Sequence, residues 1–98
     1  MKKILFTLAL LISFVSFGQT ADEYFDSGYD KDNLKDYYGA IADYTKAIEI
    51  NPNYAKAYSN RGISKENLGD LNGACVDWKK AAALGNKIAA EWVAKDCN

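Results

Sequence analysis

Histidine is absent from all 98 residues. That removes imidazole acid–base chemistry and most zinc sites before any motif is sought. Cysteine is scarce. Cys75 and Cys97 stand 22 apart with no C-x-x-C and no histidine, so neither a metal finger nor a thioredoxin-like redox motif is supported. A basic stretch is missing too, which argues against nucleic acid and anionic membrane surfaces as partners. No segment alternates apolar and polar residues with a period of two, so no sheet is expected. No apolar run approaches the roughly 20 residues that span a bilayer.

The longest apolar stretch is at the start. Met1-Lys2-Lys3 is basic, and Ile4 to Phe17 carries no charge. Small Ser16 and Gly18 flank Phe17 where it ends. This is the plan of a secretory signal peptide, expected to occupy residues 1–18 with cleavage after Gly18. A buried first helix and a retained anchor are the alternatives. Loss of Lys2 and Lys3 would leave residues 19–98 with ten cations against thirteen carboxylates, a charge of −3. An exported protein, periplasmic or secreted, follows from this reading, with no stable membrane span once the signal is removed.

The remainder repeats itself. Shifting the chain by 34 residues superposes Ala21 on Ala55, Tyr24 on Tyr58, Gly28 on Gly62 and Lys31 on Lys65. Asn33-Leu34 falls on Asn67-Leu68, Asp36 on Asp70, Gly39-Ala40 on Gly73-Ala74, Asp43 on Asp77, and Lys46-Ala47 on Lys80-Ala81. Twelve of 34 positions are identical without a gap, and a further step carries Tyr58 onto Trp92. Within each unit, apolar and small residues recur three and four apart, the helical period. The pattern predicts five helices, about 21–33, 37–50, 54–67, 71–83 and 87–97. Gly69-Asp70 supplies a left-handed stop and an N-cap. Pro52 suits the first turn of the helix that follows it, and Leu84-Gly85-Asn86 makes the corresponding break without proline. Gly28, Ala40, Ala47, Gly62, Ala74 and Ala81 let helices approach, while Tyr24, Tyr44, Tyr58, Trp78 and Trp92 fill the space between pairs.

These residues resemble the tetratricopeptide repeat (TPR) family. The period matches, as do Tyr58-Ser59-Asn60-Arg61-Gly62, Leu68-Gly69-Asp70 and the segment from Gly39 to Pro52. The end of the second unit, Ala81 to Asn86, lacks the usual proline and has some Sel1-like character. Asp30-Lys31-Asp32 is charged where the family often has an apolar residue, so the end of the first helix is expected to fray. The resemblance implies an all-α fold, a short right-handed α-solenoid of two TPR helix pairs plus a C-terminal capping helix. The first unit would span about 21–54, the second about 55–88, and the cap about 87–97.

The resemblance further implies a non-catalytic module that grips a protein or peptide partner on a concave face built from the first helix of each pair. Here that face would carry Phe25, Tyr29, Lys56, Ser59, Asn60, Ile63 and Asn67. Lys56 and Asn60, one turn apart, could hold an anion. An aromatic-walled groove with polar anchors is one reading of Phe25 and Tyr29; cover for an exposed core edge is the other. No cofactor and no metal are expected. Asp26 to Asp30 resembles a calcium loop superficially, but lies in a helical pattern without the terminal Glu. Asp43 and Asp77 each precede a lysine by three, and solvated ion pairs with Lys46 and Lys80 are expected. Antiparallel packing of the last two helices would bring Cys75 to Cys97, as a disulfide in an oxidising compartment or as two buried thiols. A structural subunit of a cell-envelope or secretion assembly, or a self-associating chain, is the alternative function.

Overall fold

The computed structural model describes residues 18–98. Apart from Gly18, the expected signal peptide lies outside the described residues. Five helices follow: α1 (Ala21–Asn33), α2 (Tyr37–Ile50), α3 (Ala55–Asn67), α4 (Leu71–Ala83) and α5 (Lys87–Asp96). No strand occurs among the described residues. The fold is the expected all-α stack.

Local chemistry explains where each helix starts. Thr20 and Glu23 form a capping box: the Thr20 hydroxyl accepts from the Glu23 amide at 3.1 Å, and the Glu23 carboxylate accepts from the Thr20 amide at 3.0 Å. Asp36, Asp70 and Asn86 cap α2, α4 and α5 by accepting from the amides of Gly39, Gly73 and Ala89. Helix α3 has no side-chain cap. Pro52 is not in its first turn, as the sequence suggested, but in the preceding turn, because the Asn51 side chain accepts from the Asn53 amide at 3.1 Å and bends the chain there.

Three helices end alike. The amides of Asp36, Asp70 and Asn86 donate back to the carbonyls of Lys31, Lys65 and Ala81, the long bond of a Schellman motif. Each motif needs one left-handed residue. Gly69 and Gly85 supply it at φ 85° and 101°, but in the first unit Lys35 does so at φ 61°.

Helices pack in order, α1 on α2, α2 on α3, α3 on α4 and α4 on α5, and α1 also reaches α3. Ala40, Tyr44, Ala47, Ala57, Ala74, Trp78, Ala81 and Ala89 are buried. The two glycines at repeat-equivalent places set the spacing. A Cβ on Gly28 would stand 2.8 Å from the Tyr44 ring, and one on Gly62 would stand 2.5 Å from the Trp78 indole nitrogen. Each second helix thus drives its largest ring against bare backbone of the first. Trp92 closes on Trp78 at 5.3 Å between ring centres, and Lys87, Glu91 and Lys95 around it are exposed. The sulfurs of Cys75 and Cys97 lie at disulfide-bonding distance, with their Cα atoms 5.6 Å apart, so the start of α4 is held to the end of α5.

Candidate protein-interaction face

The first helices of the units, α1 and α3, carry the expected face, and their residues divide into three kinds. Tyr29 is 53% exposed, and Lys56 and Asn67 are exposed. Asn60 and Ile63 are half-buried and reach solvent beside them. Phe25 and Ser59, a repeat-equivalent pair, turn inward instead. Phe25 stacks on Tyr54 with ring centres 5.2 Å apart and planes at 20°, and tilts against Tyr44 at 5.5 Å. Ser59 is 5% exposed, and its carbonyl accepts from the Trp78 indole at 3.2 Å. The Ser59 side chain therefore does not line an open surface: Trp78 draws that turn of α3 into the core. Asn67 spends one amide donor on the Ile63 carbonyl at 3.0 Å, which fixes its side chain along the helix.

Beneath this face lies a polar framework that joins the helices. Asp77, 1% exposed, accepts two bonds from Arg61, at 2.9 and 2.7 Å, and pairs with Lys65 at 3.0 Å. Asp43, its counterpart one unit earlier, accepts from Ser27 at 2.6 Å and pairs with Lys31 at 2.9 Å. The expected solvated pairs with Lys46 and Lys80 do not form. Both aspartates point from the second helix toward the first, whereas Lys46 faces solvent and meets Glu49 at 3.6 Å. Arg61 reaches one unit further back and donates to the Thr45 hydroxyl at 3.1 Å. The bonded carboxylate of Asp43 holds Lys31 above the usual lysine range, and that of Asp77 raises Arg61 similarly.

Asp32 is the residue sequence reasoning misjudged. It does not let α1 fray. It accepts from the Tyr44 hydroxyl at 2.7 Å and from the Ser64 hydroxyl at 2.6 Å, tying α1 to α2 and α3 at once. Burial, then the Asp32 bond, pushes the Tyr44 phenol well up. Tyr54, which donates to Asp22 at 2.7 Å, is pushed up to about 12 by burial and by that carboxylate. The available signal was the repeat itself: the first unit has a phenol at Tyr44, whose hydroxyl reaches Asp32, where the second has Trp78, whose N–H finds the Ser59 carbonyl instead.

No three histidine, cysteine, aspartate or glutamate residues converge as a metal site among the described residues. Nor is any helix among them long and apolar enough to cross a membrane.

A stack of antiparallel helix pairs whose period is written in the sequence defines the class: an α-helical repeat protein, its units joined side by side. Residues 33–69, from the end of α1 through α3, match the family model described as a TPR repeat. That match supports a TPR family protein, and such repeats are generally non-catalytic modules for protein–protein interaction. No curated protein matches the chain.

Proposed function

We propose that this protein is an exported, non-catalytic TPR module that holds a protein or peptide partner on the face formed by α1 and α3. Tyr29, Lys56, Asn60, Ile63 and Asn67 make the contacts, and Phe25 and Ser59 hold the helices that present them. The carrying observation is the TPR match over residues 33–69 together with Tyr29, a large aromatic left 53% exposed beside half-buried Ile63 and Asn60. Aromatic and apolar groups flanked by amides and one cation suit an extended segment, with apolar contact giving affinity and the polar groups orientation. Export is supported by the basic-then-apolar start of the sequence and by the Cys75–Cys97 pair, which an oxidising compartment would keep bonded.

Crosslinking in the native compartment, read by mass spectrometry, tests this reading. Crosslinks from Lys56 to one recurrent partner, lost on Tyr29→Ala plus Ile63→Ala, are the expected result. A partner retained at wild-type level by that double variant overturns the face. A fixed stoichiometric companion at purification would favour a structural subunit, the second reading kept open by the same surface.

A further inference from the structure

The two intervals between successive first helices are built differently. Between α1 and α3 the gap is closed by Asp32, which takes hydroxyl bonds from Tyr44 and Ser64. One unit on, the equivalent of Asp32 is Glu66, that of Tyr44 is Trp78, and that of Ser64 is Asn98. Neither donor survives. The Trp78 indole N–H is already committed to the Ser59 carbonyl, and position 98 lies past the end of α5 at Asp96. The Glu66 carboxylate is exposed and has no hydrogen-bond or ion-pair partner among the described residues. In place of the bridge there is a cleft of about 280 Å³, lined by Ile63, Glu66, Trp78, Trp92, Lys95 and Asp96.

We propose that this cleft is a subsite for an arginine side chain of the bound partner. It rests on the reading of the α1–α3 face as the partner surface, which it adjoins through Ile63. Three observations select the occupant. The volume is at the lower edge of what a whole small ligand fills, and suits one side chain. The apolar side is aromatic, with Trp92 packed over Trp78, and a guanidinium stacks on such rings where a compact ammonium does so less well. The polar side is a carboxylate that lacks the donors its counterpart enjoys, and a guanidinium brings several N–H donors in one plane. Of the charged rim groups, Glu66 and Asp96 favour a cation and Lys95 opposes it. Lys95 is exposed on a long stem, so its ammonium swings into water when the cleft fills.

The test needs no natural partner. N-acetyl-arginine N-methylamide is titrated into the purified, oxidised protein, and the two indole N–H signals are followed by NMR, with Trp92→Phe assigning them. The citrulline analogue, uncharged but of the same shape, is the control. Expected are a saturable shift of the Trp92 signal with the arginine compound and a weaker response to citrulline. Glu66→Gln should weaken binding about two- to fivefold, the range of an exposed ion pair or cation–π contact, and Lys95→Ala should tighten it. Equal response to citrulline, or binding unchanged in Glu66→Gln, overturns the subsite. Failure here with crosslinks still mapping to Tyr29 and Lys56 removes the subsite alone. Arginine binding with no partner on α1 and α3 would leave the cleft and remove the face.

Discussion

At the scale of single residues, the buried contacts set the cost of change. Gly62→Ala gains helix propensity of about 1 kcal/mol, but its Cβ would sit 2.5 Å from the Trp78 indole and 3.1 Å from the Ala74 carbonyl. Overpacking against a buried ring costs about 1–3 kcal/mol, so net destabilisation is expected by urea unfolding followed by tryptophan fluorescence. Asp77→Ala leaves Arg61 and Lys65 side chains, 17% and 24% exposed, without their shared carboxylate. A loss of about 3 kcal/mol is expected, and a smaller one for Asp43→Ala, whose Lys31 is 40% exposed. The phenols give a pH signature. Tyr54 titrates at about 12 in the fold and near 10 when unfolded, and Tyr44 is also raised. The unfolded chain therefore loses these protons first. The Tyr54 contribution is complete below about pH 10 and is lost as pH rises through 12, and that of Tyr44 is lost in the same direction at still higher pH. Melting temperatures taken across that window should fall more steeply for wild type than for Tyr54→Phe.

At the scale of the helices, boundaries were legible because each is written in local chemistry. Caps at Asp36, Asp70 and Asn86 and left-handed stops at Gly69 and Gly85 act within a few residues of themselves. Lys35 was not legible as a stop, since nothing in its side chain favours φ 61°; the Schellman bonds around it impose that geometry. Replacing it with glycine should stabilise the protein by roughly 0.5–1 kcal/mol, measured as a raised melting temperature. The site was only half legible for a related reason. Repeat register told that Phe25 and Ser59 are equivalent, and that both belong to the face-bearing helices. Whether such a position points outward depends on the ring in the neighbouring helix, and Tyr44 and Trp78 pull both inward. Asp43 and Asp77 failed as simple intrahelical pairs because their partners are on another helix, at sequence separations that a three-residue spacing rule cannot see.

For the molecule as a whole, the helices form a chain of neighbours in which each touches mainly the next. Such stacks lose structure from their ends. Helix α5 packs mainly on α4, through Ala89, Trp92 and the Cys75–Cys97 pair, so its persistence depends on that link. Treating the protein with a dithiol should cost about 3 kcal/mol for a closed loop of this size, and hydrogen exchange should rise first in α5 while α1 to α3 stay protected. Register also carries a consequence for lengthening the protein. The place held by Gly28 and Gly62 recurs at Asp96. A duplicate of residues 55–88 spliced in after position 88 would keep every ring opposite a glycine and yield a longer array. Residues 65–88 appended after residue 98 would complete a third unit and set a tryptophan against Asp96, and would need that aspartate changed to glycine before the new helix could dock.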